Sequence, residues 1–94
     1  MDKNEFIQIY SNLINKDSIS VKDGVKIIEE YCKINNKSEK QTKVFIKLLI
    51  NIPTLFNECL TISLQELSNH FSVNKLTEIR TNKILKVFWN ERTN

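Results

Sequence analysis

The sequence predicts an all-α protein, a compact orthogonal bundle of five to six short helices that forms one domain over residues 1–94. Three observations predict it. Apolar residues recur at helical spacing along most of the chain. Only one glycine (Gly24) and one proline (Pro53) occur, too few for the many chain reversals of an all-β fold. Helix-start signals stand at Ser20, Ser38 and Ser63, each before an apolar-periodic segment.

The first helix is expected over Asn4–Asn15, with Phe6, Ile7, Tyr10, Leu13 and Ile14 on one face. Asp2 and Glu5 lie at its start, where the helix dipole favours negative charge. Lys16 to Ile19 reads as a loop. Ser20-Val-Lys-Asp23 reads as a capping box, with Asp in place of the usual Glu. Behind it Val21, Val25, Ile28 and Cys32, with Ile27 and Tyr31, form an apolar stripe. Gly24 falls in the first turn of this helix and costs about 1 kcal/mol against alanine; either it allows a close helix crossing or it is simply tolerated.

Asn35-Asn36-Lys37 breaks the pattern, and Ser38 caps a third helix that runs to about Asn51 with Val44, Phe45, Leu48 and Leu49 inward. Pro53 ends it, because its ring disfavours helical geometry at Ile52. A short fourth helix is expected from Thr54 to Leu60, burying Leu55, Phe56, Cys59 and Leu60. Ser63-Leu-Gln-Glu66 is a complete capping box and predicts a fifth helix with Leu64, Leu67 and Phe71. After a turn at Ser72-Val73-Asn74, a sixth helix is expected from Lys75 to Asn90. The expected core is Phe6, Tyr10, Leu13, Val25, Ile28, Phe45, Leu48, Leu49, Phe56, Leu67, Ile79 and Phe88.

Composition bounds the function classes. The chain has 94 residues, 40% apolar and 27% charged, which is ordinary for one globular domain. No apolar run approaches the ~20 residues that span a bilayer, so no membrane association is expected. The start, Met-Asp-Lys-Asn-Glu, lacks the basic-then-apolar order of a signal peptide. Cys32 and Cys59 both fall on apolar stripes and read as buried, reduced thiols. An intracellular location, cytoplasmic or nuclear, is the expectation. Arg80 and Arg92 are the only arginines among many lysines, and Asn and Ile abound. That bias marks an AT-rich coding genome of phage, viral, protist or low-GC bacterial type, and it discounts the basic charge. The net charge is +3, modest for a nucleic-acid domain, and the basic excess lies beyond residue 36.

No catalytic constellation is visible. His70 is the only histidine and reads as an ordinary surface or half-buried helix residue. There is no Cys-x-x-Cys, no His-x-x-x-His and no glycine-rich loop, the spacings that metal sites and phosphate cradles require. The expectation is therefore no enzyme, no metal and no cofactor.

Three features carry binding chemistry. Ser63 to Lys86 resembles a helix-turn-helix, with Leu64, Leu67 and Phe71 as the buried face of its first helix. Its second helix would offer Lys75, Thr77, Glu78, Arg80, Thr81 and Lys83 to a groove. Glu78 and Thr81 stand where that pattern is usually apolar, and Ser72 stands where glycine is common. Second, Lys40, Lys43 and Lys47 line one helix face, and Arg80, Lys83 and Lys86 another. Side by side they would attract phosphate; apart they are solvated faces. Third, Trp89 lies at the edge of the Val87–Phe88 stripe, where it either closes the bundle or anchors an interface.

The run from Lys47 through Pro53 to Trp89 is loosely similar to the N-terminal domain of transcription elongation factor TFIIS. The Ile-Gly and Val-Asn-x-Leu-Arg signature of that family is missing, so no residue is carried over and no family is assigned. The reading is a small regulatory or adaptor module that binds a protein partner through Arg80, Lys83, Lys86 and Trp89. The alternative is a helix-turn-helix regulator of transcription or replication that touches nucleic acid through Lys40, Lys43, Lys47, Lys75 and Thr77. Either acts as a monomer or a homodimer.

Overall fold

A computed structural model describes residues 1–16 and 20–73 of the chain, with side chains up to Asn12 in the first segment. These residues form four helices: α1 (Lys3–Lys16), α2 (Val21–Ile34), α3 (Glu39–Ile50) and α4 (Pro53–His70). No strand occurs among the described residues. The protein is all-α and compact, with a radius of gyration of 12.4 Å, close to that of a folded domain of this length.

Local chemistry sets each helix start. Asp2 Oδ1 accepts the Glu5 amide at 2.8 Å and caps α1. Ser20 Oγ accepts the Asp23 amide at 3.1 Å and caps α2. Ser38 begins α3 with a full capping box: its Oγ accepts from the Gln41 amide, and Gln41 Oε1 accepts from the Ser38 amide. Each such cap satisfies an orphan helix-end donor, worth about 1 kcal/mol. Pro53 is the first residue of α4, the position where its fixed φ suits a helix and its missing N–H costs nothing.

Two helix ends use the left-handed conformation without glycine. After α2, Asn36 has φ 62°, its amide donates to Lys33 O, and the Lys37 amide donates to Cys32 O. After α4, Ser72 has φ 56°, and the Ser72 and Val73 amides donate to Asn69 O and Ser68 O. Both are Schellman endings. The expected breaks after Ile34 and at Ser72 are thus real helix ends.

The core is built on α4. Phe56, Leu60, Leu64 and Leu67 are fully buried along it. They pack with Ile27, Ile28 and Cys32 of α2, Ile46 and Leu49 of α3, and Phe6, Ile9 and Tyr10 of α1. Each fully buried aliphatic or aromatic side chain contributes roughly 1.5–3 kcal/mol. Phe6 stacks on Phe71 at 5.3 Å between ring centroids, which ties α1 to the end of α4. Lys26 and Glu5 form a 3.1 Å ion pair between α2 and α1. Gly24 lies against Phe56: a Cβ placed there would stand 3.3 Å from both Cε1 and Cζ of the ring. The glycine therefore permits the close α2–α4 crossing.

Several expectations are corrected. The described residues hold four helices: the two expected over Thr54–Leu60 and from Ser63 onward are one continuous α4, and the one expected from Lys75 lies outside the described residues. Leu55, expected to be buried with Phe56, is exposed. The capping box at Ser63 does not start a helix. Ser63 is buried, and its hydroxyl donates to Cys59 O at 2.7 Å. Thr61 donates likewise to Asn57 O, and Ser68 to Leu64 O. Such bonds to the carbonyl one turn back let hydroxyl residues sit inside a helix. On α3, Val44, Phe45 and Leu48 are not inward: Val44 is 65% exposed and Leu48 54%. Ile46 joins Leu49 in the core instead. On α1, Ile9 is buried and Ile7 faces outward. Lys16, expected in the first loop, is the last residue of α1; the side chains of Leu13 and Ile14, residues 17–19, and the sixth helix with Ile79 and Phe88 lie outside the described residues.

Candidate functional site

The misplaced apolar residues of α3 form the most distinctive surface among the described residues. At 100° per residue, Val44, Phe45 and Leu48 share one helix face. That face turns away from the core face of Ile46 and Leu49. Past the end of α3 the exposed apolar side chains continue in sequence as Ile52 and Leu55. Exposed hydrophobics scattered singly are ordinary, whereas adjoining ones on one face make a candidate contact surface.

Lysines border this stripe. On the helical wheel Lys40 and Lys47 adjoin Val44, and Lys43 lies one step further round. All three are exposed. Lys43 lies 3.8 Å from Glu39, an exposed pair worth little. Lys40 and Lys47 make no ion pair among the described residues. At the other end, one turn from Leu55, stands the acidic Glu58.

Phe45 marks the opposite border, where it helps line an open groove of about 400 Å³ between the end of α2 and the start of α3. Tyr31 lines the groove with it, Cys32 and Thr42 contribute from the two helices, and Lys37 stands at the connecting turn. Burial pushes the Cys32 thiol above its ordinary value, against a hydrogen bond with the Thr42 side chain and the nearby Lys37 charge. Burial raises the half-buried Cys59 as well, against a hydrogen bond with the Ser63 side chain. Both cysteines are free thiols held in the neutral form. Neutral thiols are poor nucleophiles and poor metal ligands.

The sequence-predicted residues divide in two. Lys40, Lys43 and Lys47 do share one exposed face of α3. Lys75, Thr77, Arg80, Lys83, Lys86 and Trp89 lie outside the described residues, as does any meeting of the two basic stripes. His70 is exposed at the end of α4, its ring edge-on to Phe71 at 4.9 Å. The first helix of the expected helix-turn-helix is the last part of the 18-residue α4, which ends at the left-handed Ser72. Among the described residues no group of three or more His, Cys, Asp or Glu could hold a metal ion. No helix among them is long and apolar enough to cross a membrane.

The stripe itself escaped the sequence reading, although a signal for it was present. Val44, Phe45, Ile46, Leu48, Leu49 and Ile50 cover more of the α3 circumference than one core contact needs.

No protein-family model matches the chain, and no curated protein or solved structure matches it.

Proposed function

We propose that this domain is a small, non-enzymatic regulatory or adaptor module that binds a protein partner. The observation that carries the reading is the exposed Val44–Phe45–Leu48 face of α3. An apolar helix face turned from its own core loses the stabilisation of burial, and a partner restores it. The non-enzymatic part rests on the sequence: one histidine, no metal-ligand spacing and no phosphate-binding loop. Arg80, Lys83, Lys86 and Trp89 are proposed as further contacts, on the strength of an aromatic anchor beside basic residues.

A photo-crosslinking side chain at position 48 tests this in extracts of the source cells, with the same group at exposed Glu29 as the control. A protein adduct is expected from position 48 alone. Equal adducts, or none, would count against the reading. The lysines exposed on α3 favour a second reading, nucleic-acid binding through Lys40, Lys43 and Lys47, joined by Lys75 and Thr77. Fluorescence anisotropy with duplex DNA and single-stranded RNA separates the two. Weak binding that vanishes at near-physiological salt is expected. Micromolar binding that persists there would favour the nucleic-acid reading.

A further inference from the structure

We infer that the partner presents an amphipathic helix whose apolar stripe is bordered by acidic residues, and that this helix lies along α3. The inference rests on the protein-binding reading above and adds to it the chemistry of the partner. Shape comes first. Val44 and Leu48 stand one turn apart on the exposed face of α3, a spacing that the i, i+3, i+4, i+7 anchors of a helix match. Phe45 and Tyr31 open the adjoining groove, which receives one bulky apolar side chain of the partner.

Charge then selects among occupants. A helix seated on this face brings one border against Lys40 and Lys47, neither of which has an ion-pair partner among the described residues. A second copy is a poor match. Two α3 helices packed antiparallel about a two-fold axis set Lys40 of one copy against Lys47 of the other. Packed parallel, they press each lysine border onto the other copy's Phe45 side, which holds no acid. The chain's own apolar segment beyond residue 74 is equally mismatched: residues 75–86 carry Lys75, Arg80, Lys83 and Lys86 against Glu78 alone. An acidic border gains attraction where these alternatives meet repulsion or no countercharge, and such complementarity sets partner choice more than raw affinity.

The test uses the full-length chain, labelled with ¹⁵N, and synthetic helical peptides of about five turns. One peptide carries a leucine stripe with a glutamate border; its twin carries lysine at the border positions. The glutamate peptide is expected to bind at least about tenfold tighter than its twin at near-physiological salt, with shift changes centred on Val44, Phe45 and Leu48. Leu48→Glu should weaken binding by about tenfold or more. Lys40→Glu with Lys47→Glu exchanges surface charge only, and should reverse the preference between the peptides. Three results would overturn the inference. Both peptides bind alike or not at all; the shifts map elsewhere; or sedimentation shows a dimer of the free chain that Leu48→Glu dissociates. An adduct from position 48 alongside failure of the glutamate peptide would leave the protein-binding reading standing and remove only this partner.

Discussion

Gly24→Ala gives the sharpest test of how α2 meets α4. In an isolated helix this change would stabilise by about 1 kcal/mol, because alanine loses less backbone entropy than glycine. In this fold the new methyl would stand 3.3 Å from both Cε1 and Cζ of Phe56, with Leu60 Cδ2 at 3.7 Å. Carbon pairs are most favourable at about 3.5–4.0 Å, so two contacts are too short at once. The Phe56 ring is wholly buried, so it moves only by displacing other core side chains. Overpacking of this kind costs about 1–3 kcal/mol. A central cost of about 2 kcal/mol against a gain of about 1 leaves a net loss of about 1 kcal/mol. For a domain of this length that lowers Tm by about 4–8 °C. In a Phe56→Leu background the ring atoms are gone, and Gly24→Ala should then stabilise by about 1 kcal/mol. The double-mutant cycle should return a coupling of about 2 kcal/mol. Urea unfolding followed by circular dichroism measures all four proteins. A full 1 kcal/mol gain from Gly24→Ala with Phe56 intact would refute the tight crossing.

Other outcomes follow from burial, backbone geometry and ionisation. Leu49→Ala should cost about 2–5 kcal/mol, whereas Leu48→Ala, one residue away on the exposed face, should cost about 0.5 kcal/mol or less; paired urea titrations decide, and equal losses would place Leu48 in the core. Ser72→Gly removes a left-handed strain of about 1 kcal/mol, and a thermal melt should show Tm rising by several degrees. The two raised thiols make stability fall in alkali. Below the ordinary value of 9.0 the folded and unfolded chains both hold the protons, whereas above it the unfolded chain ionises first and is favoured. Unfolding midpoints should therefore drop as pH rises through 9.0. A disulfide reagent at pH near 8 should label the native thiols far more slowly than those of the urea-unfolded chain.

Much of the fold was legible because local chemistry carried it. Ser20 and Ser38 have no better use than to cap, and each caps. Asn36 and Ser72 tolerate the left-handed conformation, and each ends its helix. Pro53 both closes α3 and opens α4. Legibility failed where one pattern supports two structures. The Ser63-x-x-Glu66 string suits a helix start, but in a chain already helical from Pro53 the hydroxyl bonds back to Cys59 and the helix runs on. On α3 the apolar residues fill so wide an arc that periodicity could not distinguish the core-facing part from the outward part. Packing against α2 and α4 decided it, in favour of Ile46 and Leu49. The candidate stripe was hidden for that same reason, since apolar residues of a helix are read inward by default.

The unbroken α4 governs how the domain opens. Phe6 leans on its far end through Phe71, Gly24 on its near end through Phe56, and α3 packs along it. Thr61, Ser63 and Ser68 satisfy their hydroxyls on carbonyls one turn back, so none of them interrupts the backbone ladder. Had the chain broken near Ser63, its two halves could have exchanged amide protons in separate local events. As one rod, its central amides from Leu60 to Leu64 are expected to exchange only when the whole domain comes apart. Their exchange rate is therefore a gauge of global stability, and a ligand on α3 will slow it by the factor its binding contributes.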